Sequence, residues 1–229
     1  MRPAALHALI SARGRAPTPD IARDIADAIA QLNDKAPQRA AAAHDGVPTL
    51  RLQFDLELIP ELSHRYRYRV GPMVERHIVH DLAPAARRRG YFTYDEFLYI
   101  CHWKTQRSKP LIERNEPAVV EAAMRTALST KSERVRIEVL RSLDGVDWAT
   151  ASVFLHFGYV DLYPIVDFRA LEALGVPRKD GRPIYISMAL WEAYVRCCRD
   201  IASRAHVDMR TLDRAMWQWS NENGATEPE

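Results

Sequence analysis

Helix-start chemistry recurs along this chain and leaves little room for any fold but a helical one. Thr18-Pro19-Asp20 supplies a capping oxygen, a proline at the first helical position and an acid in the first turn. Ile21, Ile25, Ala28 and Leu32 follow at spacings of four, three and four. Thr93 with Glu96 reads as a capping box ahead of Phe97, Ile100 and Trp103. Asn115 precedes a face of Val119, Val120, Ala123, Ala127 and Leu128, and Thr130 with Glu133 reads as a second capping box before Ile137, Leu140 and Leu143. Ser187 is placed to cap a face of Leu190, Trp191, Tyr194, Cys198 and Ile201, and Asp208 one of Leu212, Ala215 and Trp219. Against these stands one clean period-two stretch, residues 50–58, with no second strand to pair with. It reads as an extended segment lying on helices. Residues 64–69 also alternate, but Leu62, Tyr66, Val70, Met73 and His77 fit helical spacing, with a break at Gly71-Pro72. Linkers are expected at 35–47, 108–115 and 176–184, and the expected fold class is all-α.

A chain of 229 residues allows one sizeable domain or two small lobes sharing a core. Its 47% hydrophobic and 27% charged residues exclude a disordered chain. No apolar run approaches the ~20 residues of a membrane span, and residues 1–10 run into Arg13 and Arg15 without a cleavage site, so no signal peptide is read there. Cys101, Cys197 and Cys198 make an odd count, and the adjacent pair suits neither a disulfide framework nor a zinc site. The expectation is a cytoplasmic protein with reduced thiols. No HExxH pair occurs, so no catalytic metal is expected.

The net charge of +2 hides an uneven distribution. Residues 61–109 carry ten Lys/Arg against five Asp/Glu, among them Arg65, Arg67, Arg69, Arg87, Arg88, Arg89, Lys104, Arg107 and Lys109. Interleaved with Tyr66, Tyr68 and Tyr91, such bases can face a phosphate backbone or form an ordinary solvated surface. Within this block, Lys104 and Arg107 stand three apart and would share a face at a helix C-terminus, beside Trp103. An indole there can stack on an extruded base while the two cations hold flanking phosphates. It can equally be a core tryptophan with basic residues completing the helix end.

The most informative stretch is residues 134–175. One helix ends near Leu143, a tight Leu143-Asp144-Gly145-Val146-Asp147 turn follows, and a helix opens at Trp148. Gly145 supplies a backbone that takes positive φ and admits close approach by another molecule, and Val146 would tuck between the helices. The small residues Ala149, Thr150, Ala151 and Ser152 let the second helix pack closely. Free N–H groups at its start attract a phosphate oxygen. Further on, Asp167 precedes Phe168-Arg169-Ala170-Leu171 and Gly175, the pattern of an N-cap and a helix stop.

These residues resemble the helix-hairpin-helix DNA glycosylase superfamily, the group that contains endonuclease III. Its pattern is L-P-G-V-G-x-K-T-A, an apolar helix, then V-D-T-H and a short helix ending in L-G. Here Leu143 to Ala151 stand in the first motif, Val166-Asp167-Phe168-Arg169 in the second and Leu174-Gly175 at the end, with Asp167 eighteen positions beyond Ala149. Asp144 replaces the hairpin proline and Asp147 the second glycine, and Ala149 stands where bifunctional members carry a Schiff-base lysine. Two carboxylates beside a phosphate site would repel it unless neutralised or turned away. No four-cysteine iron–sulfur loop is present.

The resemblance implies a single glycosylase-like domain over 1–229, a two-lobed all-α bundle. It carries a helical extension at 1–50, the helix-hairpin-helix at 131–158 and a flexible tail at 221–229. The implied partner is duplex DNA with an altered base, flipped into a cleft for hydrolysis of its N-glycosidic bond. Asp167 would be catalytic, stabilising the oxocarbenium-like sugar and positioning water. Gly145, Val146 and Asp147, with a bound monovalent cation, would hold a phosphate, and Trp103, Lys104, Arg107 and Arg169 would complete the DNA-binding set. Two other readings stand beside this one: a non-catalytic DNA-binding member, and a helical protein-interaction domain whose hairpin matches by chance.

Overall fold

A computed structural model of the chain describes residues 46–66, 72–176, 178 and 184–224. The expected helix after Thr18, most of the 1–50 extension, the bases Arg67 and Arg69, Tyr68 and residues 225–229 lie outside this set, as do most of the linkers expected at 35–47 and 176–184. The described residues are helical and contain no strand. In chain order the α-helices are α1 (Ile59–Arg65), α2 (Pro72–His77), α3 (Ala83–Arg89), α4 (Tyr94–Lys104), α5 (Lys109–Ile112), α6 (Pro117–Ser129), α7 (Glu133–Arg141), α8 (Trp148–Gly158), α9 (Phe168–Ala173), α10 (Met188–Ala205) and α11 (Met209–Asn223). A π-turn at Ile78–Leu82 joins α2 to α3. None of these helices is long and apolar enough to cross a membrane.

Two compact units emerge. The first holds residues 73–158, and the second holds 46–66 and 159–224. In the first unit α8 is the central element, packed on α3, α4, α6 and α7. Its residues from Thr150 to Phe157 are all buried, which is what an apolar sequence on every face of a helix requires. Phe154 stacks on Phe97 with centroids 5.6 Å apart and meets Phe92 edge-on at 5.5 Å. In the second unit α11 takes that place, packed on α1, α9 and α10. Trp191 of α10 lies parallel to Tyr163 at 6.3 Å, both shut off from solvent.

Capping chemistry fixes many of the helix starts. Thr93 and Glu96 form the expected box at α4, Ser187 accepts from Leu190 N at 3.1 Å, and Asp208 from Thr211 N at 2.6 Å. Two expected caps are corrected. Helix α7 is capped by Ser132, whose hydroxyl accepts from Val135 N at 3.3 Å, while Thr130 closes the preceding helix and accepts from Ser132 N. Helix α6 starts after Glu116 rather than Asn115, whose amide is engaged elsewhere.

The alternating stretch at 50–58 finds its partner in the second unit. Arg51 and Gln53 donate their N–H groups to Leu174 O and Ala173 O, each at 3.0 Å. An extended segment thus takes up carbonyls at the end of α9. The stretch then closes into a 3-10 turn at Leu56–Leu58.

Candidate nucleic-acid interface

In the first unit, the turn between α7 and α8 is built from two sides. Within the turn, Leu143 N donates to Leu140 O and Val146 N to Leu143 O, both at 3.2 Å, and Gly145 takes φ +76°. From outside, Asn115 grips the peptide of Asp144 at both of its polar atoms. Its Oδ1 accepts from Asp144 N at 2.8 Å, and its Nδ2 donates to Asp144 O at 2.9 Å and to Ile112 O at 2.8 Å. A Cβ on Gly145 would lie 2.7 Å from Ile112 Cγ1 and 2.9 Å from the Ile112 backbone nitrogen. The glycine is therefore required by a close approach of α5, not by an approaching ligand. Gly145 and Val146 are both buried. Residues 108–115, expected as a linker, include the short helix on which the turn is pressed.

Asp147 is the outward residue of the turn, with its side chain 76% exposed. Its Oδ1 accepts from Trp148 N at 2.8 Å and stands 3.6 Å from Arg141 Nε. The same guanidinium donates from Nη1 to both oxygens of Glu138 at 3.0 Å and lies 3.9 Å from the Trp148 ring centroid. Arg141 thus lies between the carboxylates of Glu138 and Asp147, and its one positive charge is shared between the two. The N–H groups of Asp147 and Ala149 meet no acceptor among the described residues. The turn's carbonyls are less available. Leu143 O, Asp144 O and Asp147 O already accept from Val146 N, Asn115 Nδ2 and Ala151 N.

Trp103 is 4% exposed and meets Phe157 edge-on at 5.9 Å, so of its two readings the core tryptophan is the one its burial fits. Lys104 is the last residue of α4. Thr105 then turns extended at φ −152°, ψ 130°, so the exposed Arg107 lies in the following turn and shares no helical face with Lys104.

Asp167, in the second unit, is extended at φ −147°, ψ 178° and caps α9, its Oδ1 accepting from Ala170 N at 3.0 Å. It is half-buried. Two residues earlier, Ile165 O accepts from the hydroxyl of Tyr194 at 2.7 Å. Burial, then the charges of Cys198, Asp213 and Asp167, push the Tyr194 phenol well above its usual range, so it remains a donor. Burial likewise raises the thiols of Cys198 and Cys101. Arg169 holds its guanidinium 5.0 Å from the centroids of both Phe168 and Trp217, and Arg178 lies 3.8 Å from that of Phe168. No group of three His, Cys, Asp or Glu among the described residues could hold a metal ion.

The second unit's contribution was only partly visible in the sequence. The motif identifies Asp167 and Arg169, whereas Tyr194 stands in the sequence only as a position on a helix face and Asp213 carries no signal there. In the first unit the sequence marks Asn115 only as a cap position and gives Arg141 no role. A polar residue left inside a linker was the one available signal for Asn115.

Fold and site together describe an all-helical protein with a tightly held interhelical turn and a capped aspartate after it. Two solved structures resemble the chain, both from Methanocaldococcus jannaschii. One is an 8-oxoguanine glycosylase/lyase in complex with a 15mer DNA containing 8-oxoguanine, with TM-score 0.38 and 16% identity over 88% of this chain and 93% of that one. The other is an 8-oxoguanine DNA glycosylase, with TM-score 0.37 and 15% identity over 98% and 96%. No protein-family model matches the chain, and no curated protein does.

Proposed function

We propose that the chain binds duplex DNA through the turn at 143–147 and acts as a monofunctional DNA glycosylase on an altered base. The observation that carries this reading is the turn itself. A left-handed Gly145, fixed by Asn115 and α5, delivers the chain into the start of α8, where the N–H groups of Asp147 and Ala149 meet no acceptor among the described residues. A phosphate oxygen is the ligand such donors suit. The anion contact falls to the N–H groups of Asp147 and Ala149, because Gly145 and Val146 are buried. Lys104 and Arg107 support the strand from outside the turn.

For the chemistry, the residue is Asp167. Its carboxylate is oriented by Ala170 N, so its charge is fixed in place before substrate arrives. Such a carboxylate stabilises positive charge developing on the sugar and holds the attacking water. Ala149 offers no amine for a Schiff base, so the product is an intact abasic site. The non-catalytic alternative also has an observation behind it, since capping α9 by itself accounts for an aspartate at 167.

The test measures anisotropy of a labelled duplex across a salt series, followed by base release over a panel of altered bases. We expect binding that falls steeply with salt and weakens in the Lys104→Ala/Arg107→Ala variant. We also expect released base without strand cleavage, and no adduct on borohydride trapping. Absence of duplex binding at low salt overturns the reading. Binding without release across the panel selects the non-catalytic alternative, and an adduct that vanishes in Lys104→Ala makes Lys104 the nucleophile.

A further inference from the structure

The segment that leads into Asp167 has no strand to pair with. Residues 163–166 are buried in the second unit, and Pro164 brings no N–H group. Backbone polar groups shut off from water need partners, and two of them here are met by side chains of α10. Arg199 Nε donates to Leu162 O at 2.7 Å, and the Tyr194 hydroxyl donates to Ile165 O, also at 2.7 Å. Ile165 makes no other hydrogen bond among the described residues. Tyr194 is wholly buried, and its hydroxyl stands among groups that compete for it. Cys198, one turn on along α10, lies within hydrogen-bonding reach, and the charges of Asp213 and Asp167 bear on the same oxygen. The phenol has one proton to give. It goes to Ile165 O, while Asp167 accepts from Ala170 N and Asp213 pairs with Arg210.

We propose that Tyr194 is a positioning residue for Asp167, its hydroxyl fixing the peptide that sets where the carboxylate stands. The inference rests on the reading of Asp167 as the residue that acts on the sugar. The cap and the phenol do different jobs. The bond from Ala170 N fixes the carboxylate relative to α9, so the corner keeps its shape without Tyr194. Where the corner stands against α10 is set earlier, at the carbonyl of the peptide joining Ile165 to Val166, with one residue between it and Asp167. Without the hydroxyl that carbonyl is left buried and unpaired, and the peptide turns towards another donor. A rotation there displaces Asp167 with it. Catalytic groups tolerate little of this, since a misplacement of about 1 Å can cost on the order of 10²-fold in rate. Phenylalanine keeps the ring and removes the donor, so Tyr194→Phe isolates the hydrogen bond.

The experiment compares full-length wild type with Tyr194→Phe on 20-base-pair duplexes carrying deoxyuridine, deoxyinosine or an oxidised deoxyguanosine. Base release is followed under single-turnover conditions, and duplex affinity by anisotropy. On a duplex from which wild type releases base, the variant should release it at least tenfold more slowly, with affinity within twofold of wild type. Protection of the Ala170 N–H from hydrogen exchange should persist, because the cap remains. Cys198→Ala is the control. It removes another neighbour of the hydroxyl, leaves the donor to Ile165 O in place, and should release base at the wild-type rate. Thermal unfolding shows whether each variant is folded. Should Tyr194→Phe be partly unfolded, all three proteins are compared in trimethylamine oxide, which favours the folded state. Release at the wild-type rate in folded Tyr194→Phe overturns the positioning role and leaves the reading of Asp167 standing. Release that slows in both variants in step with their melting temperatures makes Tyr194 a packing residue and overturns it too. So does loss of the Ala170 protection, since the corner itself would then have come apart. Wild type that releases base from none of the duplexes overturns both readings.

Discussion

The turn at 143–147 and the corner at Asp167 both deliver the chain into a helix, yet they are held in opposite ways. The corner at Asp167 is held by its own neighbours. Its carboxylate takes Ala170 N three residues on, and Gly175 closes the same short helix at φ +82°. The turn is held by a segment 29 residues earlier, through the Asn115 amide and the face of α5 against Gly145. A locally held corner survives any substitution that keeps a capping oxygen. A turn held from outside fails when either surface changes shape, even where the turn's own sequence is intact.

The largest test of this contrast is Gly145→Ala. The added methyl would press on the Ile112 side chain, which can move, and on its backbone nitrogen, which cannot. A non-glycine residue at φ +76° adds its own penalty, so a loss of about 3 kcal/mol is expected in urea unfolding. A loss under about 1 kcal/mol would mean that the turn does not depend on α5. Next comes Asn115→Ala, which leaves the buried N–H and C=O of Asp144 without their partner. The expected cost is about 2 kcal/mol, with weaker duplex binding in the variant even at temperatures where it is fully folded. Undiminished binding there would show that the clamp stabilises the fold without shaping the interface.

This contrast also explains what could be read in advance. Caps at Thr93, Asp167, Ser187 and Asp208 were legible because donor and acceptor lie within three residues of each other. The helical class followed from the same local chemistry. Asn115 and Thr130 were misread by that very rule. Each sits just before a helix, but the Asn115 amide makes its contact across 29 residues, and Ser132 stands closer to the start of α7. Trp103 was ambiguous because spacing places an aromatic on a helix without saying which neighbour covers it; Phe157, 54 positions later, does. The role of Arg141 was likewise hidden, since its contact with Asp147 crosses a turn whose shape is set from outside.

The smallest expected effect sharpens the comparison most, because it separates shape from charge at Asp167. Replacing Asp167 by Ala removes the oxygen that accepts from Ala170 N, at a cost of about 1 kcal/mol. Asp167→Asn retains an oxygen of nearly equal capping strength, so its stability should fall by only a few tenths of a kcal/mol. The two variants therefore bracket the cap, while both lack the negative charge. If Asp167 acts on the sugar, base release collapses in both alike and follows charge rather than stability. Should release in Asp167→Asn stay at the wild-type level while Asp167→Ala loses it in step with its melting temperature, the aspartate is a cap alone. Duplex affinity gives the internal control. Under the proposed function it depends on the turn in the first unit, so it should be unchanged in Asp167→Asn and lowered in Asn115→Ala.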